Sequence, residues 1–584
     1  MKQLKVLLPI AASGLALALT ACGGPAPTAA PSGSAPASSA PSGSASTPAE
    51  SAGWDIKETP REKLKEGGEF IGSISHEIPT WNIYSAAGND SEEVQLTAPI
   101  SAAYYDYNGV GDAIHNPDYL VSADEAVNGG KLTITLKLNP KAVWNDGEVI
   151  GADDWIATWK AMNGENKDFS VASSDGWDQI ESIKAGATQQ DVIITFKSTY
   201  PDWTAIISGG PLRAEGVATP KDFNDGWGEP KDAYFTGPYK ITSWDKTSGT
   251  VVMEPNPNWW GAKPFLTKLT WKQIPAESVA SAFANRELDY IDIGADADAY
   301  QQASNTPDTE IRVAAGPNYR QFTFNAGSEV LKDQNVRQAI VMGLNREIIA
   351  KADLAGLPGD PQPLNNNLFV MGQKGYVDEA KATGIDYNPE GAKQKLEAAG
   401  YTMGSGGFYE KDGKQLDVEF AVLGGVKASE TEGLQAQNQL KEIGVNLKLR
   451  TIDTTKDWPA VLTDHKFDII AFSWIGTPYP LNNIGQIYGG GIDSKTKKWV
   501  ASDSNYAQLQ IPEVDTLKPQ VDTEMDAAKR LELGNQAAEA IWTAVHTLPL
   551  YQRPMLIGVP SDLANIGAQG MARVPKWENV GYLA

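Results

Sequence analysis

Between 389 and 474 the chain alternates helix-type and strand-type hydrophobic patterns three times over. That alternation restricts the fold more than any other feature. Pro389 stands as a first-turn proline for a helix over 390–399, with Gly400 as its stop. Leu416, Val418, Phe420 and Val422 alternate as a strand, and 432–443 is a helix ended by Gly444. Val445, Leu447 and Leu449 form the next strand, a short helix carries Trp458, and the series closes on an apolar run over 467–475. Helices regularly interleaved with strands imply α/β units on a parallel or mixed sheet. A helix at 526–545 and a strand at 548–559 follow.

The last strand of the series leads into the stretch of greatest chemical interest, 467–483. Its first half is apolar throughout, the pattern of a strand buried on both faces, and Gly476, Pro478 and Pro480 must end it. At that end stand Trp474, Thr477, Tyr479, Asn482 and Asn483. Ligands of α/β proteins bind at the carboxyl ends of strands. Aromatic rings beside neutral hydrogen-bonding groups suit an uncharged or weakly charged ligand. An equally open reading makes Trp474 core and the loop a surface turn.

At 584 residues the chain exceeds one core, so two or three domains are expected. A formal charge of −24 repels phosphates and excludes nucleic acid as a partner. Lys2 and Lys5 precede an apolar segment at 6–19, and roughly 14 residues at ~1.5 Å each cannot span a ~30 Å hydrocarbon core. Residues 1–21 therefore read as a signal peptide. The segment ends in Leu19-Thr20-Ala21-Cys22-Gly23, similar to a bacterial lipobox, which makes Cys22, the one cysteine of the chain, the expected lipid attachment site. From Cys22 the segment 22–53 continues in Gly, Pro, Ala, Ser and Thr with Glu50 the single exception, a composition that buries too little to fold. The expectation is a flexible tether that holds a folded body at the outer face of the cytoplasmic membrane of a Gram-positive cell.

Enzyme chemistry finds no support. His76, His115, His465 and His546 are scattered without metal-ligand spacing, and a lone cysteine excludes disulfides and thiolate zinc clusters. Neither a Gly-x-Ser-x-Gly elbow nor a phosphate loop is present, so no catalytic residue, metal or cofactor is expected. Asp153-Asp154 reads as a helix cap rather than a metal pair, ahead of apolar Trp155, Ile156, Trp159 and Met162.

A strand at 131–138 followed by Trp144-Asn145-Asp146-Gly147, Ala152-Asp153-Asp154 and a helix resembles the signature of the family 5 solute-binding proteins. So do Phe235-Thr236-Gly237-Pro238-Tyr239, Asn256-Pro257-Asn258-Trp259-Trp260 and Phe324-Asn325 with Asn335-Val336-Arg337-Gln338-Ala339, in the same order. In the last of these Val336, Ile340 and Leu344 share a helical face, and Arg337 is expected at its edge as an ion-pair partner. The resemblance implies a bilobed periplasmic-binding-protein-like α/β fold, class II with three domains. Lobe I would be 54–95 with 211–317 and 548–584, an inserted domain 96–210, and lobe II 318–547. It further implies an extracytoplasmic receptor, expected to act as a monomer, that delivers oligopeptides to an ABC permease and its ATPase. The fold also admits a glycan, glycolipid or other amphiphile as ligand, or a regulatory role in envelope assembly. The family places ligand contacts on the loop at Trp474 and on an earlier tryptophan, matched by Trp458. Its peptide receptors carry an aspartate three residues after the loop tryptophan; here that residue is Thr477. Glu77, with Trp81 and Asn82 in the segment that rims the cleft, is the expected substitute partner for a peptide ammonium.

Overall fold

The computed structural model describes residues 53–584 apart from 454–456, 483 and 503. The expected leader 1–21, Cys22 and the tether as far as Ala52 lie outside the described residues. No helix among the described residues is long and apolar enough to cross a membrane.

Three large sheets organise the body. The first has the order Glu69–Ile74, Lys268–Gln273, Thr250–Pro255 and Tyr239–Asp245. The second is an antiparallel sheet in the order Leu120–Asn128, Lys131–Leu138, Asp191–Phe196 and Ile180–Ala185. Leu132, Ile134, Leu136 and Leu138 are all buried, as their alternation requires. These two sheets fall in the segments expected for lobe I and the inserted domain. The third runs Ile291–Asp292, Thr547–Pro560, Thr309–Phe324, Ile469–Ile475, Asp417–Leu423 and Asn446–Ile452. Its last three strands are mutually parallel, the outcome that interleaved helices demand.

Two long strands run across the segments expected for the two lobes. Thr309–Phe324 and Thr547–Pro560 pair antiparallel along their length, with a register break between Ala315 and Tyr319. The break opposes Gly316, Pro317 and Asn318 to Arg553 alone. A Cβ on Gly316 would stand 2.8 Å from the Arg553 carbonyl oxygen, so only glycine admits this approach. The expected boundary at 317/318 coincides with this break. The expected boundary at 547/548 marks no break in the strand, because 547–552 already pairs with 319–323.

Three of the four segments that carry the family resemblance converge in space. Trp144 Nε1 donates to Asp154 Oδ2 (3.1 Å), and Asn256 Nδ2 donates to Asn145 Oδ1 (2.8 Å) and to the Gly237 carbonyl (2.9 Å). Asn258 Nδ2 donates to the Asn145 carbonyl (2.7 Å) and Thr236 Oγ1 to that of Val143 (2.8 Å). These three motifs are thus one network that ties 143–154 to 236–258. Two local expectations are corrected. The N-cap of Ala152–Met162 is Gly151, whose N–H is accepted by Asp154 Oδ2, while Asp153 is exposed. Arg337 is buried and donates to the carbonyls of Leu331, Lys332, Ala544 and Val545, so backbone oxygens replace the expected carboxylate. Burial without an ion partner lowers its pKa to about 10.

Behind the third sheet, Arg320 Nε donates to Glu432 Oε1 (2.7 Å) and a second bond joins its Nη2 to Glu432 Oε2, both side chains being buried. Tyr551 OH donates to Asp353 Oδ2 (3.0 Å) beside them.

Candidate ligand-binding site

From Asp417–Leu423 the chain steps outward to Asn446–Ile452, then crosses back to Ile469–Ile475 on the other side. The strand order reverses there, and a crevice opens at the carboxyl ends at such a switch point. Trp474 stands at that end and is half-buried, which reconciles the two open readings. Its ring stacks on Tyr506 at 6.2 Å and 9°, and Phe472 meets it edge-on at 5.4 Å. Trp458 packs edge-on against Phe472 at 5.9 Å. The structure therefore brings the two expected tryptophans into one aromatic row, completed by Phe472 and Tyr506. Ser473 Oγ, one residue away, is buried without a hydrogen-bond partner among the described residues.

The loop after the strand is tightly held. The Gly476 N–H bonds the Pro317 carbonyl (2.8 Å), and Gln373 Nε2 donates to the Thr477 carbonyl (2.8 Å). Thr477 Oγ1 accepts from the Tyr479 N–H (3.2 Å), so this hydroxyl shapes its own turn and keeps its proton to donate.

Tyr479 and Asn482 have another occupation. Tyr479 OH donates to Thr204 Oγ1 (2.8 Å) and lies 3.0 Å from Tyr107 OH, both in the inserted domain. Burial, and then the neighbouring Tyr107, raise its pKa above the ordinary tyrosine value. Asn482 Oδ1 accepts from Tyr200 OH (3.4 Å). Arg530 grips Asp202 with both terminal nitrogens (2.6 and 2.5 Å), and Thr199 Oγ1 donates to the Thr523 carbonyl (2.7 Å). Together these contacts latch 199–204 onto 479–482 and 523–530. Asn483 lies outside the described residues. Asp202→Asn should remove the charge opposite Arg530 and raise the ligand dissociation rate at least tenfold in stopped-flow measurements, since breaking a buried ion pair at an interface acts mainly on dissociation.

The N-terminal expectations fare differently. Glu77 is exposed at a shallow recess lined by Ile74, Trp244, Lys246 and Gln273, all of lobe I. Trp81 is buried edge-on against Trp244 (5.3 Å) and Phe235 (6.2 Å). Asn82 is fully buried and donates through Nδ2 to the Phe223 carbonyl (3.1 Å). Trp81 and Asn82 are core, and none of the three is brought to Trp474.

The C-terminal segment contributes what the sequence pattern did not reveal. Met571 packs in one apolar cluster with Tyr319 and Val370, and Trp474 lies against that cluster. Two residues on, Arg573 lies on a recess with Phe70, Trp271, Tyr290, Gln569 and Trp577. Phe70, Trp271 and Trp577 meet edge-on at 5.2 to 6.1 Å. Trp271 Nε1, Trp577 Nε1 and Gln569 Nε2 are buried and unpartnered among the described residues. Arg573 itself is exposed and makes no ion pair or hydrogen bond among them.

Comparison with known proteins agrees with this architecture. Residues 118–495 match the family described as bacterial extracellular solute-binding proteins, family 5 middle. The oligopeptide-binding protein OppA of Mycobacterium tuberculosis is 32% identical over 523 residues, covering 89% of this chain and 85% of that protein. Among solved structures, a periplasmic EDTA-binding protein, EppA, superposes with a TM-score of 0.80 at 22% identity, covering 91% of this chain and 98% of its own. The oligopeptide-binding protein AppA of Bacillus subtilis, in complex with a nonapeptide, gives 0.69 at 20% identity, covering 89% and 100%. With its sheets, its switch-point strand and its motif network all accounted for, the chain belongs to the bacterial extracellular solute-binding proteins of family 5.

Proposed function

We propose that the protein is the extracytoplasmic receptor of an ABC importer, capturing oligopeptides between its lobes and passing them to the permease and its ATPase. The observation that carries this reading is 32% identity to an oligopeptide-binding protein over 89% of the chain. The row formed by Trp458, Phe472, Trp474 and Tyr506 offers flat apolar walls to peptide side chains, and Thr477 a hydroxyl to peptide groups. Arg573, a cation without a partner beside an aromatic recess, suits the peptide's terminal carboxylate. Tyr479 and Asn482 act in closure rather than in contact with ligand. The protein works by binding, without catalysis, as a monomer held to the membrane through lipid on Cys22.

The test is mass spectrometry of what co-purifies with the full chain, followed by titration of synthetic peptides. A heterogeneous set of peptides is expected. Free-acid peptides should bind about tenfold more tightly than their amides, and Arg573→Gln should abolish that difference. A single sugar-containing or lipidic species, or a chain whose Tm no peptide raises, would overturn the reading.

A further inference from the structure

Beyond the ligand cleft, five polar side chains meet where the strand Glu69–Ile74 gives way to the helix Ser91–Thr97. Glu92 Oε2 accepts from both the backbone N–H (2.6 Å) and the hydroxyl (3.0 Å) of Ser75. So fixed, it lies 3.2 Å from His76 Nδ1. A carboxylate held there takes the Nδ1 proton and leaves Nε2 with a lone pair, as in the carboxylate–histidine–metal arrangement. That lone pair faces acceptors: Glu93 Oε1 at 3.0 Å and Asp90 Oδ1 at 3.9 Å. Glu93 is 2% exposed, and its second oxygen has no hydrogen-bond partner among the described residues. With the ring neutral and its proton on Nδ1, the Nε2 lone pair and two carboxylates turned on one another repel, and either a second ring proton or a bound cation relieves that repulsion.

We propose that His76 Nε2, Asp90 and Glu93 bind one divalent first-row cation of the zinc type. Ligands at about 2.0–2.2 Å from such an ion stand roughly 3–4 Å apart, and the candidate donor atoms here all lie within 4.8 Å of one another. A mixed imidazole and carboxylate set favours zinc over calcium or magnesium, which take oxygen donors alone. Three protein ligands leave a fourth position to water. The ion would pin the first turn of the helix to the end of the strand, in lobe I and apart from the aromatic row at Trp474.

The full-length chain carrying Cys22→Ser, which removes the one thiolate, is stripped on a chelating resin and titrated with zinc alone. One equivalent should bind, and zinc should raise the Tm. His76→Gln and Glu93→Gln should each weaken binding about a hundredfold or more and abolish the rise in Tm. Glu92→Gln, which touches only the orienting carboxylate, should cost about 10–100-fold while the apo Tm stays near that of the parent. If the parent takes up no zinc, or if His76→Gln and Glu93→Gln both bind like the parent, the cluster is an imidazolium among carboxylates and the proposal fails.

Discussion

Trp474→Ala is expected to weaken peptide binding about a hundredfold by calorimetry, with Trp474→Phe intermediate. The ring lies half-exposed, stacked on Tyr506 and braced by Phe472, so it is rigid before any ligand arrives. Aromatic anchors of this kind typically contribute about 2–4 kcal/mol when truncated, or about 1.4 kcal/mol per tenfold in affinity. The effect should fall on affinity and only modestly on stability, because part of the ring is already in water. A variant that binds peptides like the parent would move the ligand wall elsewhere, with the recess at Arg573 the next place to look.

The largest loss of stability is expected from Arg320→Met, on the order of 3–5 kcal/mol in chemical denaturation, since it leaves Glu432 buried without its cation. Replacing both partners, Arg320→Met with Glu432→Leu, should recover most of that loss, because a well-packed apolar pair needs no desolvation of charge. Asp353 adds a pH signature. Burial and then the neighbouring Glu432 push its pKa up to about 8. Across about pH 4 to 8 the native state therefore keeps a proton that the unfolded chain has released. This group's contribution to stability is full below about pH 4 and is lost as pH rises towards 8. Asp353→Asn should flatten that slope; an unchanged slope would place the titration elsewhere.

Much of 389–475 was legible because its elements follow from local periodicity. The parallel strands over 417–475 needed no partner to be recognised, only alternating apolar residues and glycine stops. Chemistry at the end of Ile469–Ile475 was legible for the same reason: Gly476 and two prolines mark the strand end, and Trp474 stands beside it. What stayed hidden depends on pairings across hundreds of residues. Tyr479 and Asn482 offer the same hydroxyl and amide to a ligand or to Thr204 and Tyr200, and only the folded chain chooses. Arg337 looked like an ion-pair partner because nothing local reveals the carbonyls of 544 and 545 turned towards it. Trp81 and Asn82 follow a strand as rim residues would, yet lobe I closes over them. His76 lacks any ligand spacing in sequence, and folding alone sets it against Asp90 and Glu93.

The strand that bears Trp474 is also hydrogen-bonded to one of the two long strands, with Trp474 opposite Tyr319, the first paired residue past the break at Gly316-Pro317. Anyone retuning this receptor for a new cargo inherits that stitching. Altering 469–475 disturbs that pairing together with the aromatic row it carries, so selectivity and strand packing change together. The loop at 476–482 carries Tyr479 and Asn482 of the latch, whereas the tail around Arg573 lies outside both the stitched register and those contacts. That tail is the part to exchange when the cargo is to change and the gait of the machine is not.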